Sequence, residues 1–216
     1  MSKFALAVAS LPYLVTGIAT TLQITVTALA VGLLLGLPLA ISVVYGSTRA
    51  RRMADAYITG LRSVPVLVVI FIFYFVVARI LDIGAFASAC LALGLRSAAY
   101  QAEIFRGGIM AVGPGQMLAA RALGMSRTQA IRNVVLPQAA RFSIPAWGNE
   151  AAVMIKDSSF AFAIGVPELL RRAQYVSART YQPFAIYTAC AALYLILNYV
   201  AMGAMALMEK RLRIPG

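Results

Sequence analysis

The stretch GQMLAARALGMS, residues 115–126, continues to VLPQ at 135–138 and interrupts a chain that is otherwise strongly apolar. Four arginines lie in or beside it: Arg121, Arg127, Arg132 and Arg141. Gly124 can end a first helix through a left-handed cap, and Ser126 with Gln129 has the spacing of a capping box for a second helix. The stretch therefore predicts two short helices joined at Gly124, which present a basic surface to a soluble partner.

The composition of the rest of the chain indicates its solvent. Hydrophobic residues make up 62% and charged residues 12% of the sequence, with a mean hydropathy of +0.84. Soluble domains carry about 25% charged residues. Because a transmembrane helix needs about 20 mostly apolar residues, the sequence predicts an all-α, polytopic membrane protein with about five transmembrane helices. We expect one transmembrane domain over residues 1–216, without room for a second domain.

Continuous apolar windows locate the expected helices. They predict spans at 16–45, 57–81, 85–109, 142–166 and 183–208, with the polar stretch inside a loop over 110–141. The first apolar run follows Lys3 and continues to Ala40, which is longer than the apolar core of a signal peptide. We therefore expect this run to be retained.

The arginines between the spans indicate orientation, because positive charge is enriched in short cytoplasmic loops. The loop at 49–52, the loop at 110–141 and the basic tail from Glu209 to Arg213 all fall on one side, so we expect that side to be cytoplasmic. The N-terminus then lies outside and the C-terminus in the cytoplasm. A nucleic-acid partner is not expected despite the net charge of +12, because the arginines cluster at the ends of apolar segments. The segment 171–179 disagrees: its three arginines fall outside, so either this loop has another use or the last span is misplaced.

Ionisable residues within the spans are costly and often mark substrate routes. Glu150 and Asp157 lie two helical turns apart, which puts both carboxylates on one side of the fourth span, and Arg96 and Glu103 repeat that spacing on the third. The alternatives are a structural ion pair between helices, or lysine and arginine side chains that reach a lipid headgroup. Asn149, Gln101 and the serines at 158–159 add weaker, uncharged candidates, and Trp147 has the character of an interface anchor. The complete set of substrate-path candidates is Glu150, Asp157, Lys156, Ser158, Glu103, Arg96, Arg62 and Asn149.

The 115–126 stretch has two interpretations when considered by its periodicity alone. Helical spacing puts Leu118, Arg121 and Met125 on one side and Ala119, Leu123 and Ser126 on another. Such a helix can dock in a groove of a partner protein, or lie at the membrane surface on anionic lipid. The candidate docking residues are Gln116, Leu118, Ala119, Ala120, Arg121, Leu123, Gly124, Met125 and Ser126.

Several ordered elements together resemble the membrane subunits of bacterial binding-protein-dependent ABC importers of the polar amino-acid uptake type. The elements are AA at 119–120 followed by Gly124 and LP at 136–137, RSVP at 62–65, AYQAEIFRGGI at 99–109 and KDSS at 156–159. Leu118 stands where the family usually has glutamate, which predicts more apolar contact at that point. The match covers most of the chain.

The resemblance implies a partner set and a cellular location. We expect a permease subunit in the bacterial inner membrane, paired with a second permease subunit that is either the same chain or a paralogue. Two ATP-binding subunits and an external substrate-binding protein would complete the complex, and amino acids or close analogues would be the substrate. The sequence contains no phosphate-binding loop, so ATP hydrolysis is expected in a partner and not in this chain. No cofactor or metal is expected.

Other classes of protein fit fewer features. An ion-coupled secondary transporter would also use charges inside the membrane, but it usually has internal repeats or more spans and needs no long cytoplasmic loop. A membrane enzyme lacks support because the sequence has no histidine and no nucleophile beside a base. A GxxxG step at Gly32 and Gly36 predicts close helix contact, either within this chain or with a second copy.

Overall fold

The computed structural model describes residues 3–212, which are helical and contain no β-strand in that range. Helix α1 runs from Lys3 to Tyr45 and has 43 residues. It starts well before the predicted span 16–45. At about 1.5 Å per residue, its length exceeds the roughly 30 Å of a bilayer core. Residues 1–2 and 213–216, including Arg213 of the basic tail, lie outside the described residues.

The predicted second span, 57–81, is not one continuous helix. Helix α2, Thr48–Ser63, and helix α3, Val66–Leu81, meet at an angle of 106°. The break falls at Pro65, which lacks a backbone N–H and restricts the residue before it. Val64 accordingly has an extended backbone, with φ −94° and ψ 132°. The RSVP element therefore forms a bend between two helices.

Helix α4, Ala85–Ala111, coincides with the predicted segment 85–109 and forms the centre of the bundle. It packs along α1 on one side and along the helix that follows the polar stretch on the other. Many of its residues are small or polar and are buried. The central helix therefore carries polar side chains into the interior of the bundle.

The polar stretch forms a helix, a glycine turn and a second helix. Helix α5 is Pro114–Ala122, and Gly124 follows with φ 83°. The N–H of Met125 donates to the Ala120 carbonyl at 3.2 Å and the N–H of Gly124 to Arg121 at 3.1 Å, which closes the helix in a Schellman motif. The predicted left-handed cap is confirmed, and so is the capping box between Ser126 and Gln129.

The helix after Gly124 is not short, in contrast to the prediction. Helix α6 covers 127–157, with α-helix at Arg127–Ala130 and Leu136–Asp157 joined by a π-helical turn at Ile131–Val135. This wider turn directly precedes Pro137 and accommodates its missing N–H, so the proline does not end the helix. A 3₁₀ turn at Ser158–Ile164 and Gly165 complete the segment predicted as span 142–166.

The last two helices lie beyond Gly165. Helix α7, Leu169–Thr180, contains the three arginines of the segment 171–179, which disagreed with the predicted orientation. The Glu168 side chain caps the start of this helix. Helix α8, Pro183–Leu212, coincides with the predicted span 183–208 and extends beyond it. Within residues 3–212, Leu6–Tyr45 and Pro183–Arg211 are long and apolar enough to cross a membrane, and α2 with α3 adds a third candidate if the bent pair counts as one span. Five crossings therefore remain a prediction.

Glycines bring α1 and α4 into close contact. A Cβ atom at Gly36 would lie 2.9 Å from the Ala98 carbonyl oxygen, and one at Gly32 would meet Gln101 Nε2. The GxxxG step therefore packs against α4 of its own chain. Cys90 and Cys190 are free and buried, as expected of small core residues.

A pair of glycine substitutions tests this packing. Gly36→Ala should lower the free energy of unfolding by about 1–3 kcal/mol, because the new methyl group would press on rigid backbone. Gly60→Ala, where nothing lies within 4 Å of the added Cβ, should instead raise it by about 0.5–1 kcal/mol through helix propensity. Thermal unfolding of the detergent-solubilised variants measures both. Equal shifts in the two variants would contradict the predicted close contact.

Candidate functional site

The charged residues of α4 and α6 meet inside the bundle. Arg96 Nη1 donates to Asp157 Oδ2 at 2.7 Å, and the two side chains are 14% and 15% exposed. A short, charge-assisted hydrogen bond of this kind is strong where water is largely excluded. Arg96 and Asp157 therefore form an ion pair between two helices, which is one of the alternatives that the sequence left open.

Glu150 lies two turns earlier on the same side of α6, as its spacing predicts. It is 5% exposed and accepts a hydrogen bond from Ser97 Oγ at 2.9 Å. Gln101 Nε2 donates to Ser97 Oγ at 3.0 Å and to the Leu29 carbonyl at 3.1 Å, and Trp147 Nε1 donates to Gln101 Oε1 at 2.8 Å. These side chains form a polar network that joins α1, α4 and α6.

The sequence did not predict the positions of two members of this network, Trp147 and Gln101. Trp147 is not an interface anchor, because it is half-buried against the core and its N–H bonds Gln101. Gln101 is fully buried. The available signal was a glutamine in an apolar helix, since a buried amide needs partners on several sides.

Glu103 takes part in a second ion-pair group nearer the end of α4. Its carboxylate lies 2.6 Å from Arg106 Nη2 and 3.9 Å from Arg62 Nη1. The guanidinium of Arg62 also lies 5.2 Å from the centre of the Tyr100 ring, on which Arg96 stacks at 4.5 Å. Tyr100 thus connects the Glu103 group to the Arg96–Asp157 pair along one face of α4.

The remaining path candidates do not converge on that face. Lys156 is exposed and lines a cavity of about 310 Å³ together with Tyr187 and Tyr194. Asn149 is exposed and lines a separate cavity of about 220 Å³. Ser158 is buried, and its hydroxyl donates to the Ile155 carbonyl at 2.7 Å.

The surface around Gly124 exposes apolar side chains. Leu118 is 69% and Leu123 is 81% exposed, whereas Ala120 is 3% exposed and faces inward. Around them lie further exposed candidates: Gln116, Ala119, Arg121 and Ser126, with Met125 partly buried. This exposure fits both interpretations of the stretch, a surface that contacts a partner and a helix that lies on the membrane surface.

Polar contacts fix this surface to the bundle. Gln138 Nε2 donates to Gln116 Oε1 at 3.2 Å, which ties α5 to α6. Arg127 stacks over the Tyr45 ring at 5.7 Å, next to the end of α1. No group of three or more acidic, cysteine or histidine side chains able to hold a metal occurs in the described range 3–212.

The structure is an apolar helical bundle with an exposed, basic turn at Gly124 and a buried polar seam, which comprises Arg96, Ser97 and Gln101 of α4 with Glu150 and Asp157 of α6. These features are typical of a membrane transport subunit. Residues 32–214 match the family of binding-protein-dependent transport system inner membrane components. The chain belongs to this family, and it is a permease subunit of an ABC importer and a multi-pass inner membrane protein.

Known relatives and solved structures agree with this assignment. The octopine transport system permease protein OccQ of Rhizobium meliloti is 36% identical, covering 88% of this chain and 86% of its own length. The glutamine transport system permease protein GlnP of Escherichia coli is 35% identical, covering 95% of both chains. A crystal structure of an amino acid ABC transporter has a TM-score of 0.87 at 36% identity, covering 96% of this chain and 98% of that one. The inward-facing MetNI methionine ABC transporter has a TM-score of 0.85 at 20% identity, covering 95% of this chain and 99% of that one, which is a likeness of fold.

Removing one member of the buried network tests its contribution to stability. Ser97→Ala should lower the free energy of unfolding by about 1–3 kcal/mol, because Glu150 loses its donor in a buried position. Ser63→Ala is the matched control, since the Ser63 hydroxyl is exposed and bonds only its own helix, at the Thr59 carbonyl. Thermal unfolding in detergent should leave the control within about 0.5 kcal/mol of the parent protein. A Ser97→Ala variant as stable as the control would contradict the network.

Proposed function

We propose that this chain, paired with a second permease subunit, forms the path along which amino acids or close analogues cross the inner membrane. Its membership in the importer family is the observation that carries this proposal. The octopine and glutamine permeases named above support an amino-acid-like substrate. An external substrate-binding protein delivers the substrate, as the family description implies.

In this proposal the energy comes from two ATP-binding subunits attached at the 115–138 region. The chain has no phosphate-binding loop of its own, so ATP hydrolysis takes place in the partner. The exposed Leu118 and Leu123 support an apolar contact with that partner. The docking surface faces the cytoplasm, the N-terminus lies outside and the C-terminus lies inside.

The polar seam between α4 and α6 is the proposed substrate path. Glu150 and the Arg96–Asp157 ion pair are ionisable groups inside an otherwise apolar bundle, where such groups often mark a substrate route. Glu103 and Arg62 extend the seam towards the bend between α2 and α3. Lys156 and Asn149 remain flanking candidates at the adjoining surfaces, and Ser158 remains a buried candidate next to Asp157.

Uptake into proteoliposomes tests the proposed function. The full complex, with the binding protein on one side and ATP on the other, should accumulate a labelled amino acid only when both are present. Glu150→Ala and Asp157→Ala should impair accumulation while the subunits still co-purify. Uptake driven by an ion gradient without ATP would instead support a secondary transporter. Normal ATP-driven uptake by both variants would remove these carboxylates from the path.

Two substitutions at the exposed turn, with a control substitution on α2, test the proposed docking surface. Leu123→Asp should reduce co-purification of the ATP-binding subunit by at least about tenfold, because a charge replaces an apolar contact at the partner surface. Gly124→Val should have a similar effect, because Gly124 has φ 83° and a branched residue resists that conformation. Met53→Asp is the control, since Met53 is 74% exposed but lies on α2. Equal co-purification of all three variants would contradict this docking site.

A further inference from the structure

Asp157 does not present a free negative charge to the seam, because its carboxylate is paired with the Arg96 guanidinium. The two groups are 2.7 Å apart and both side chains are largely excluded from solvent. Replacing Arg96 by a cationic ligand would separate a largely buried pair and leave a guanidinium without its carboxylate, which is strongly unfavourable. A cationic amino-acid side chain therefore meets a neutral pair at this point.

Arg96 is also held from its other side. Its Nη2 donates to the Tyr100 hydroxyl at 3.3 Å, and its guanidinium stacks on the Tyr100 ring at 4.5 Å. Arg96 and Tyr100 are one helical turn apart on α4, so the stacking is local to that helix. This contact pre-orients the guanidinium towards Asp157 and reduces the entropy lost when the pair forms.

The neighbouring cation does not perform the same task. Lys156 lies beside Asp157 in sequence but lines the cavity with Tyr187 and Tyr194. Glu150 is paired separately with the Ser97 hydroxyl. Within residues 3–212, Arg96 is the cation that forms a salt bridge with Asp157.

We propose that Arg96 determines the charge selectivity of the seam by neutralising Asp157, so that the path favours amino acids whose side chains are not cationic. This inference rests on the proposed function, because it requires substrate to pass the α4–α6 seam. Arg96 acts here as a specificity-determining residue through Asp157. The substrate class it favours is neutral or acidic.

The experiment compares three probes on the purified permease–ATPase complex in proteoliposomes without the binding protein, so that only the membrane part selects. The probes are L-arginine, L-glutamine and L-glutamate, and the readout is the dissociation constant of each labelled amino acid for the complex, measured by equilibrium binding. Arg96→Met should increase the preference for arginine over glutamine by at least about tenfold, because Asp157 becomes available. Asp157→Asn should increase the preference for glutamate over glutamine, because Arg96 becomes available.

The double variant separates selectivity from structure. Arg96→Met combined with Asp157→Asn removes both charges and should return the preference close to that of the parent complex. Arg51→Met is the control: it removes an arginine from the Arg51–Asp55 pair, whose side chains are 64% and 51% exposed, and it should leave the preference unchanged. Asp157→Asn preserves shape and provides the test on its own if Arg96→Met does not assemble.

The possible failures are distinguishable. A parent complex that binds none of the three amino acids would contradict the proposed substrate path itself. A parent complex that binds at least one of them, together with single variants whose preference among the three probes is unchanged, would contradict only the role of Arg96.

Discussion

The buried polar face of α4 is the constraint on which the rest of the structure depends. Arg96, Ser97 and Gln101 point into a low-dielectric bundle, where an unpaired polar group is costly. Their partners come from other helices: Asp157 and Glu150 from α6, and the Leu29 carbonyl from α1. Small residues let these helices approach closely enough, as at Gly36 against Ala98. The packing of α1, α4 and α6 therefore depends on all three helices being in place together.

Helix α6 joins this seam to the exposed turn at Gly124. Its 127–157 range covers about 46 Å at 1.5 Å per residue, from the capping box at Ser126 to Asp157. A displacement at its N-terminal end can therefore reach the seam along one helix. In the proposed function, closure of the ATP-binding subunits moves the turn, and α6 transmits that movement to Glu150 and Asp157. The π-helical turn at Ile131–Val135 is the one irregular point within α6.

The sequence predicted features that depend on local chemistry. Gly124 and the capping box depend on neighbouring residues, so the turn could be located without a structure. The spacing of Glu150 and Asp157 correctly put both on one side of a helix. The bend at Pro65 and the long α6 were missed, because hydropathy windows do not register a break inside an apolar run or a π turn that accommodates Pro137. The partners of Gln101 and Trp147 lie on other helices, so their pairing depends on tertiary packing.

The most direct test of this mechanism is site-specific crosslinking from the exposed turn in the assembled, membrane-embedded complex. A photo-reactive amino acid replaces Leu123, which is 81% exposed, and the crosslinked products are identified by mass spectrometry with and without ATP. We predict a crosslink to the ATP-binding subunit whose yield changes when ATP is added. Crosslinks to lipid alone, or to a protein on the outer side of the membrane, would contradict it.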